Sequence, residues 1–184
     1  MRRSIILAMF LSFLAKAQDV APPPKPTDDG PSLEVIIRFI KDKLIENASA
    51  KWKLTVSNSS TDGSGFTWIT NRFAEIKDAP ESCGLSYRMT RSQDPPSQVN
   101  SDETYRIAFK LVKSLTITNF EEYSNSEGVN SQPELSFDIT PPIYALVINF
   151  SQGDPQVLPF DDEEMAHRVA RAMLRAVELC GGGD

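Results

Sequence analysis

Cys83 and Cys180 are the only cysteines of the chain, and His167 is its only histidine. That inventory narrows the available chemistry. A structural zinc site takes four Cys or His ligands, commonly in closely spaced pairs, and two cysteines far apart with one histidine do not supply such a set. No metal site is expected. His167 lies in a segment whose apolar residues recur at helical spacing. At about 100° per residue it falls nearly opposite Met165, Val169 and Ala176, which places it in solvent. A general base needs a cleft and an orienting partner, and nothing around His167 suggests either. Asp161-Asp162-Glu163-Glu164 lacks the alternate acids, mid-loop glycine and terminal glutamate of a calcium loop. The run suits a helix start instead: Asp161 and Glu164 make an acidic capping box, and four acids match the positive helix end. Gly181-Gly182-Gly183 follows that helix, whereas phosphate-cradling glycines precede one. Gly181 is therefore expected to take the left-handed stop. There is no nucleophile elbow, Rossmann glycine pattern or Walker loop. Only paired carboxylates converging in a cleft stay open as catalytic chemistry, because the chain has 25 Asp+Glu. No catalytic residue is singled out and no cofactor is implied.

Four aromatics, Trp68, Phe73, Tyr87 and Tyr105, sit in alternating segments, where such residues either fill a core or line a ligand site. Asn47-Ala48-Ser49, Asn58-Ser59-Ser60 and Asn149-Phe150-Ser151 match the glycosylation sequon. The third falls in a strand expected to be buried.

The start of the chain bears on what the cysteines do. Met1-Arg2-Arg3 is basic, residues 5–14 are an apolar run about half the length a membrane-spanning helix needs, and Ala15-Lys16-Ala17 supplies a small-x-small exit. Together these read as a secretory signal peptide over residues 1–17, cut before Gln18. The expected location is the periplasm or the extracellular space. No later apolar run is long enough to cross a bilayer, so stable membrane insertion after cleavage is not expected. Cys83 and Cys180 then meet an oxidising compartment. Both fall on faces expected to be buried, one in a strand and one in the last helical turn. They either form a disulfide pinning helix to sheet or remain two separate buried thiols, and export favours the disulfide. The chain carries 19 Lys+Arg against 25 Asp+Glu, and loss of Arg2, Arg3 and Lys16 makes the product more acidic still. That balance disfavours nucleic acid, which demands clustered cations, and docking to anionic lipid.

Residues 18–31, with four prolines between Pro22 and Pro26, read as a proline-rich tether. Residues 32–184 form one domain, long enough to bury a sizeable core. Ser32 is a plausible N-cap, and Leu33, Ile36, Ile37, Ile40 and Leu44 recur at helical spacing to about residue 48. The period then becomes two. Trp52, Leu54 and Val56 alternate, and Asp62-Gly63 supplies hairpin chemistry. A second strand opens at Phe66, Trp68 and Thr70 and bends near Asn71-Arg72. Cys83, Leu85, Tyr87 and Met89 share one face of a third. After a polar stretch with Pro95-Pro96, a fourth carries Tyr105, Ile107, Phe109 and Leu111. Leu115 and Ile117 suggest a fifth, residues 121–132 a loop, and Leu135 and Phe137 a sixth ending at Pro141-Pro142. Residues 143–150 are nearly all apolar and read as a seventh strand, buried on both faces. Val157 pairs briefly. A last helix follows, with Met165, Val169, Ala172, Met173, Ala176 and Cys180 on one stripe.

The expected fold class is α+β: an N-terminal helix, about seven antiparallel strands in a curved sheet or small barrel, and a C-terminal capping helix. This order resembles pleckstrin-homology-like domains; a helix-grip or cystatin-like fold is the alternative. The stretch from Phe160 to Met173, running into Ala176-Val177-Glu178-Leu179-Cys180-Gly181-Gly182, resembles the closing helix of exported bacterial proteins without an assigned activity. That likeness also takes in Pro31-Ser32-Leu33. It carries no functional residue with it, so the ligand-binding residues stay open. Three functions compete: an exported non-catalytic interaction domain with a protein partner, a periplasmic carrier of a small ligand or lipid, and a carboxylate-based hydrolase. The carrier requires an apolar cavity of about 300 Å³ or more.

Overall fold

The structure is a computed structural model that describes residues 18–19, 30–61, 63–79, 82–94, 101–126 and 131–182. The basic leader, residues 20–29 of the proline-rich segment, Asp62 of the Asp62-Gly63 turn, Pro95-Pro96 and Gly183 lie outside the described residues. The elements run β1 (Gln18–Asp19), α1 (Leu33–Glu46), β2 (Ser49–Asn58), β3 (Gly63–Ala79), β4 (Gly84–Asp94), β5 (Ser101–Ala108), β6 (Val112–Asn119), α2 (Phe120–Asn125), β7 (Leu135–Thr140), β8 (Tyr144–Phe150), β9 (Gln156–Phe160) and α3 (Glu163–Leu179).

The α+β class, with a helix at each end and antiparallel strands between, is as expected. The expectation of one curved sheet or a small barrel is corrected. The strands form two sheets, ordered β1-β6-β8-β9 and β5-β4-β3-β2-β7, with no closure into a barrel. The division falls where the fourth strand was expected to run on. Phe109 and Leu111 continue the alternation of Tyr105 and Ile107, yet Phe109–Leu111 is a 3-10 turn. The Phe109 N–H donates to the Cys83 carbonyl at 2.9 Å. Pairing with β4 ends there, Phe109 drops into the core, and β6 leaves for the other sheet. A second correction concerns the bend of β3, which lies between Ala74 and Lys77 rather than at Asn71-Arg72. Glu75 there has a φ of 49°, costly for a side chain with a Cβ. The bulge is held from the neighbouring strand: Arg88 bridges Glu75 at 2.8 Å and Asp102 on β5. Residues 18–19, assigned to the tether, pair with Thr116 and Ile117 on the edge of β6. The short Val157 pairing grows into β9, which covers β8. β8 is buried on both faces from Ala145 to Ile148, as its unbroken apolar run implies.

Helix α1 keeps its predicted N-cap, with Ser32 accepting from the Val35 N–H, and Ile36, Ile37, Ile40 and Leu44 are buried. It packs on α3 and β3. The cap of α3 is Asp162, one residue beyond the expected Asp161: its Oδ1 accepts from the Met165 N–H at 2.6 Å. The buried face of α3 is rotated correspondingly. Ala166, Ala170 and Val177 join Val169, Met173, Ala176 and Cys180 inside, while Met165 and Ala172 are half-buried. Alanines at 166 and 170 are fully buried, a packing role that a count of large apolar residues does not reveal. The helix closes with Gly181 at φ 70°, as expected, and the Gly182 N–H reaches back to the Val177 carbonyl at 2.9 Å. A Cβ on Gly182 would sit 2.9 Å from the Phe109 carbonyl oxygen, so the second glycine is also fixed by packing.

Cys83 and Cys180 are disulfide-bonded, with Cα atoms 5.8 Å apart and a sequence separation of 97. The bond ties the start of β4 to the end of α3. By the chain-entropy estimate a loop of this length contributes about 4–5 kcal/mol. A Cys83→Ala/Cys180→Ala double variant is expected to lose about 3–5 kcal/mol of unfolding free energy, read from urea midpoints.

Lys41 on α1 pairs with Asp78 on β3 at 2.9 Å. The hydrogen bond from Lys41 holds the Asp78 carboxyl below its ordinary value of 3.8. A lowered carboxyl contributes stability in full above its unfolded value and loses it as pH falls through the folded one. Asp78→Asn should flatten the acid-side decline of the melting temperature between about pH 5 and pH 2; an unchanged slope would contradict the pairing.

Candidate ligand-binding site

Besides the main core, a smaller cluster of Ala50, Trp52, Ile69, Ile139 and Ile143 lies at the β2–β7 end of the five-stranded sheet, with Leu54 and Phe120 against it. Phe120 belongs to α2, a six-residue helix where a loop was expected. So short a helix is not stable by itself, and long-range bonds hold it. Asn119 caps it by accepting from the Glu121 N–H at 2.8 Å, and the Phe120 N–H donates to the Ile143 carbonyl at 2.7 Å. On its other side α2 meets the open edge of β7. Asn125 donates to the Phe137 carbonyl and accepts from the Phe137 N–H, both at 2.9 Å. Glu121 Oε2 accepts from the Ile139 N–H at 3.0 Å. Two side chains thus supply the bonds a further strand would have made.

A cleft of about 370 Å³ opens between α2 and this end of the sheet. Leu54, Ile69, Phe120, Leu135 and Phe137 give it apolar walls, with Trp52, Arg91 and Ser124 also lining it. The register explains the set. Trp52 pairs with Ile69, Leu54 with Ile139, and Asn71 with Arg91, so these positions share the face turned toward α2. Ser124 follows Phe120 by one helical turn and points the same way.

Among the polar side chains of the cleft, Ser124, Ser131 and Gln132 can both donate and accept, whereas Trp52 and Arg91 can only donate. Trp52 is fully buried, its ring meets Phe120 edge-on at 5.5 Å, and its Nε1 has no hydrogen-bond partner. Arg91 Nε donates to Asn71 Oδ1 at 3.0 Å. Among the described residues no carboxylate lies within ion-pair distance of Arg91. Burial pulls its guanidinium down from the ordinary value, against the opposing influence of Tyr105 and Glu103. Asn71 is fully buried, and its Nδ2 is also unpartnered. Its orientation is settled by chemistry, because a flipped amide would set N–H against N–H at Arg91. Each unpaired buried donor costs about 1–3 kcal/mol.

The aromatics singled out from the sequence are elsewhere. Phe73 and Tyr87 lie in the main core, edge to face at 5.7 Å, and Tyr105 stacks on Tyr87 at 5.4 Å. Desolvation, with the nearby Glu103, lifts the Tyr105 hydroxyl to about 12. Trp68 lies on the opposite face of the sheet beneath Lys51. His167 was expected in solvent but is half-buried, with Nε2 3.9 Å from Glu163 on its own helix. It is near none of these residues. Asn47 of the first sequon is buried and donates to the Pro159 carbonyl at 3.1 Å. Asn149 of the third donates to Ser114 Oγ at 3.1 Å. No group of three or more His, Cys, Asp or Glu side chains suited to a metal converges among the described residues, and no helix among them is long and apolar enough to cross a membrane. A groove of about 480 Å³ on the far side of α2 is lined by Thr116, Thr118, Glu122, Tyr123, Ser126, Val147 and Asn149. It holds one carboxylate, where paired-acid chemistry needs two. Neither a protein family, a curated protein nor a solved structure matches the chain.

Arg91 is the site residue that sequence reasoning passed over. It continues the inward alternation of Leu85, Tyr87 and Met89, so a charge at the fourth core-facing position was the signal. The two tryptophans differ in exposure, Trp52 at 0% and Trp68 at 38%. Iodide should therefore quench Trp68 emission while sparing Trp52. In Trp68→Phe the remaining emission should be blue-shifted and resistant to quenching, and equal quenching of both residues would contradict the buried Trp52.

Proposed function

We propose that this protein is an exported, non-catalytic binding domain that carries a small apolar ligand in the cleft between α2 and the five-stranded sheet. The apolar cleft of about 370 Å³ beside Trp52 is the observation that carries this reading; ligand sites of this kind are concave, mainly apolar and furnished with a few polar groups. The basic leader and the disulfide support export. A protein-partner role has one observation in its favour. Phe66 and Trp68 are 59% and 38% exposed on the outer sheet face, with Lys53 and Lys51 over their rings.

The neutral fluorophore N-phenyl-1-naphthylamine tests the carrier reading. It should bind one to one with enhanced emission in the oxidised protein. Ser124→Trp, which puts bulk into the cleft from the α2 wall, should weaken that binding at least tenfold while leaving the circular dichroism unchanged. No binding to the folded parent protein would refute the carrier.

A further inference from the structure

We infer that the ligand of this cleft ends in a carboxylate, which the Arg91 guanidinium receives; this rests on the carrier reading above. Three observations lead there. First, Arg91 lines the cleft among apolar side chains, and its guanidinium offers five donors and no acceptor. A ligand group that accepts without donating suits it, whereas a hydroxyl or amide brings a donor of its own. Second, Arg91 is held through Nε by Asn71 Oδ1, and among the described residues its guanidinium makes no other hydrogen bond, which leaves the terminal edge of the planar fork for the ligand. That edge suits two oxygens of one carboxylate side by side. Third, among the described residues no carboxylate lies within ion-pair distance of Arg91. Glu103, whose charge favours the guanidinium after that of Tyr105, accepts instead from the Tyr105 hydroxyl at 2.7 Å.

The surroundings define the rest of the ligand. Beyond Arg91 the walls are mainly Trp52, Leu54, Ile69, Phe120, Leu135 and Phe137, with the neutral Ser124, Ser131 and Gln132, and no carboxylate lines the cleft among the described residues. An apolar chain or ring carrying one terminal acid matches that division. A sugar or nucleotide does not, because most of its many hydroxyls would lie unpaired against hydrocarbon. Asn71 acts through Arg91 and is a positioning residue: sunk in the sheet, it accepts from Nε and fixes how the fork is presented.

Calorimetric titration of the full-length disulfide-bonded protein with dodecanoate and with dodecanol tests this. Dodecanoate is expected to bind at least tenfold more tightly. In Arg91→Met the ratio of the two affinities should fall to about one. The neutral fluorophore and the melting curve report whether the variant is folded with its cleft intact. Equal binding of acid and alcohol to the parent protein would overturn the carboxylate while leaving the carrier standing. Failure of both compounds and of the fluorophore would remove the carrier itself. A preference for the acid that survives in Arg91→Met would assign the head group to another residue and overturn the site.

Discussion

Burial of the facing stripes of α1 and α3 between themselves and the two sheets is the constraint from which the architecture follows. Ile37, Ile40 and Leu44 share one buried core with Val169, Met173 and Ala176. The end of α3 comes down beside the turn at Phe109. The disulfide stands at the same place, joining Cys180 to the residue before β4. The 3-10 turn that divides the sheets, the double glycine after α3 and the sulfur bridge therefore belong to one junction. Gly182 is against the Phe109 carbonyl, and the Phe109 amide is against the Cys83 carbonyl. Main-chain bonds and the covalent link reinforce each other there.

With the main core closed at that end, the five-stranded sheet extends past it. Its inner face changes character along the strands, from Leu85, Tyr87 and Ile107 under the helices to Asn71, Arg91 and Trp52 where the helices no longer reach. The cleft occupies this overhang, and α2 is its far wall. A sheet longer than the helices that cover it must either finish in polar residues or find another cover. This chain does both, and the mixture gives the site its combination of apolar walls and unshared donors.

Much of this was legible from residue order. The apolar stripe of α1, the alternation of β2 and β4, the double-sided burial of β8 and the pairing of the two cysteines were all expected from periodicity and composition. What escaped detection depends on contacts distant in sequence. The alternation of Tyr105, Ile107, Phe109 and Leu111 is consistent with one strand, and only the bond from Phe109 to Cys83 ends it. Helix α2 has no useful propensity signal in six residues, since Asn125 and Glu121 are held by β7 as well as by the bond from Asn125 to the Glu121 carbonyl. The cap of α3 moved by one residue because Asp161 and Asp162 are chemically equivalent there, and the backbone decides between them. Export, ligand and partner are written in no local pattern beyond the leader.

The side chains of α2 on β7 have a consequence for how far the cleft can open. The amide and carbonyl of Phe137 and the amide of Ile139 face outward from the last strand of a sheet, the kind of margin that recruits strands from other molecules. Asn125 and Glu121 occupy those groups, and Phe120 of the same helix walls the cleft. Swinging α2 away to admit a bulkier guest would uncover this margin in the same movement. The width of the cleft and the cover of that margin are thereby governed by one six-residue segment, and widening the first uncovers the second.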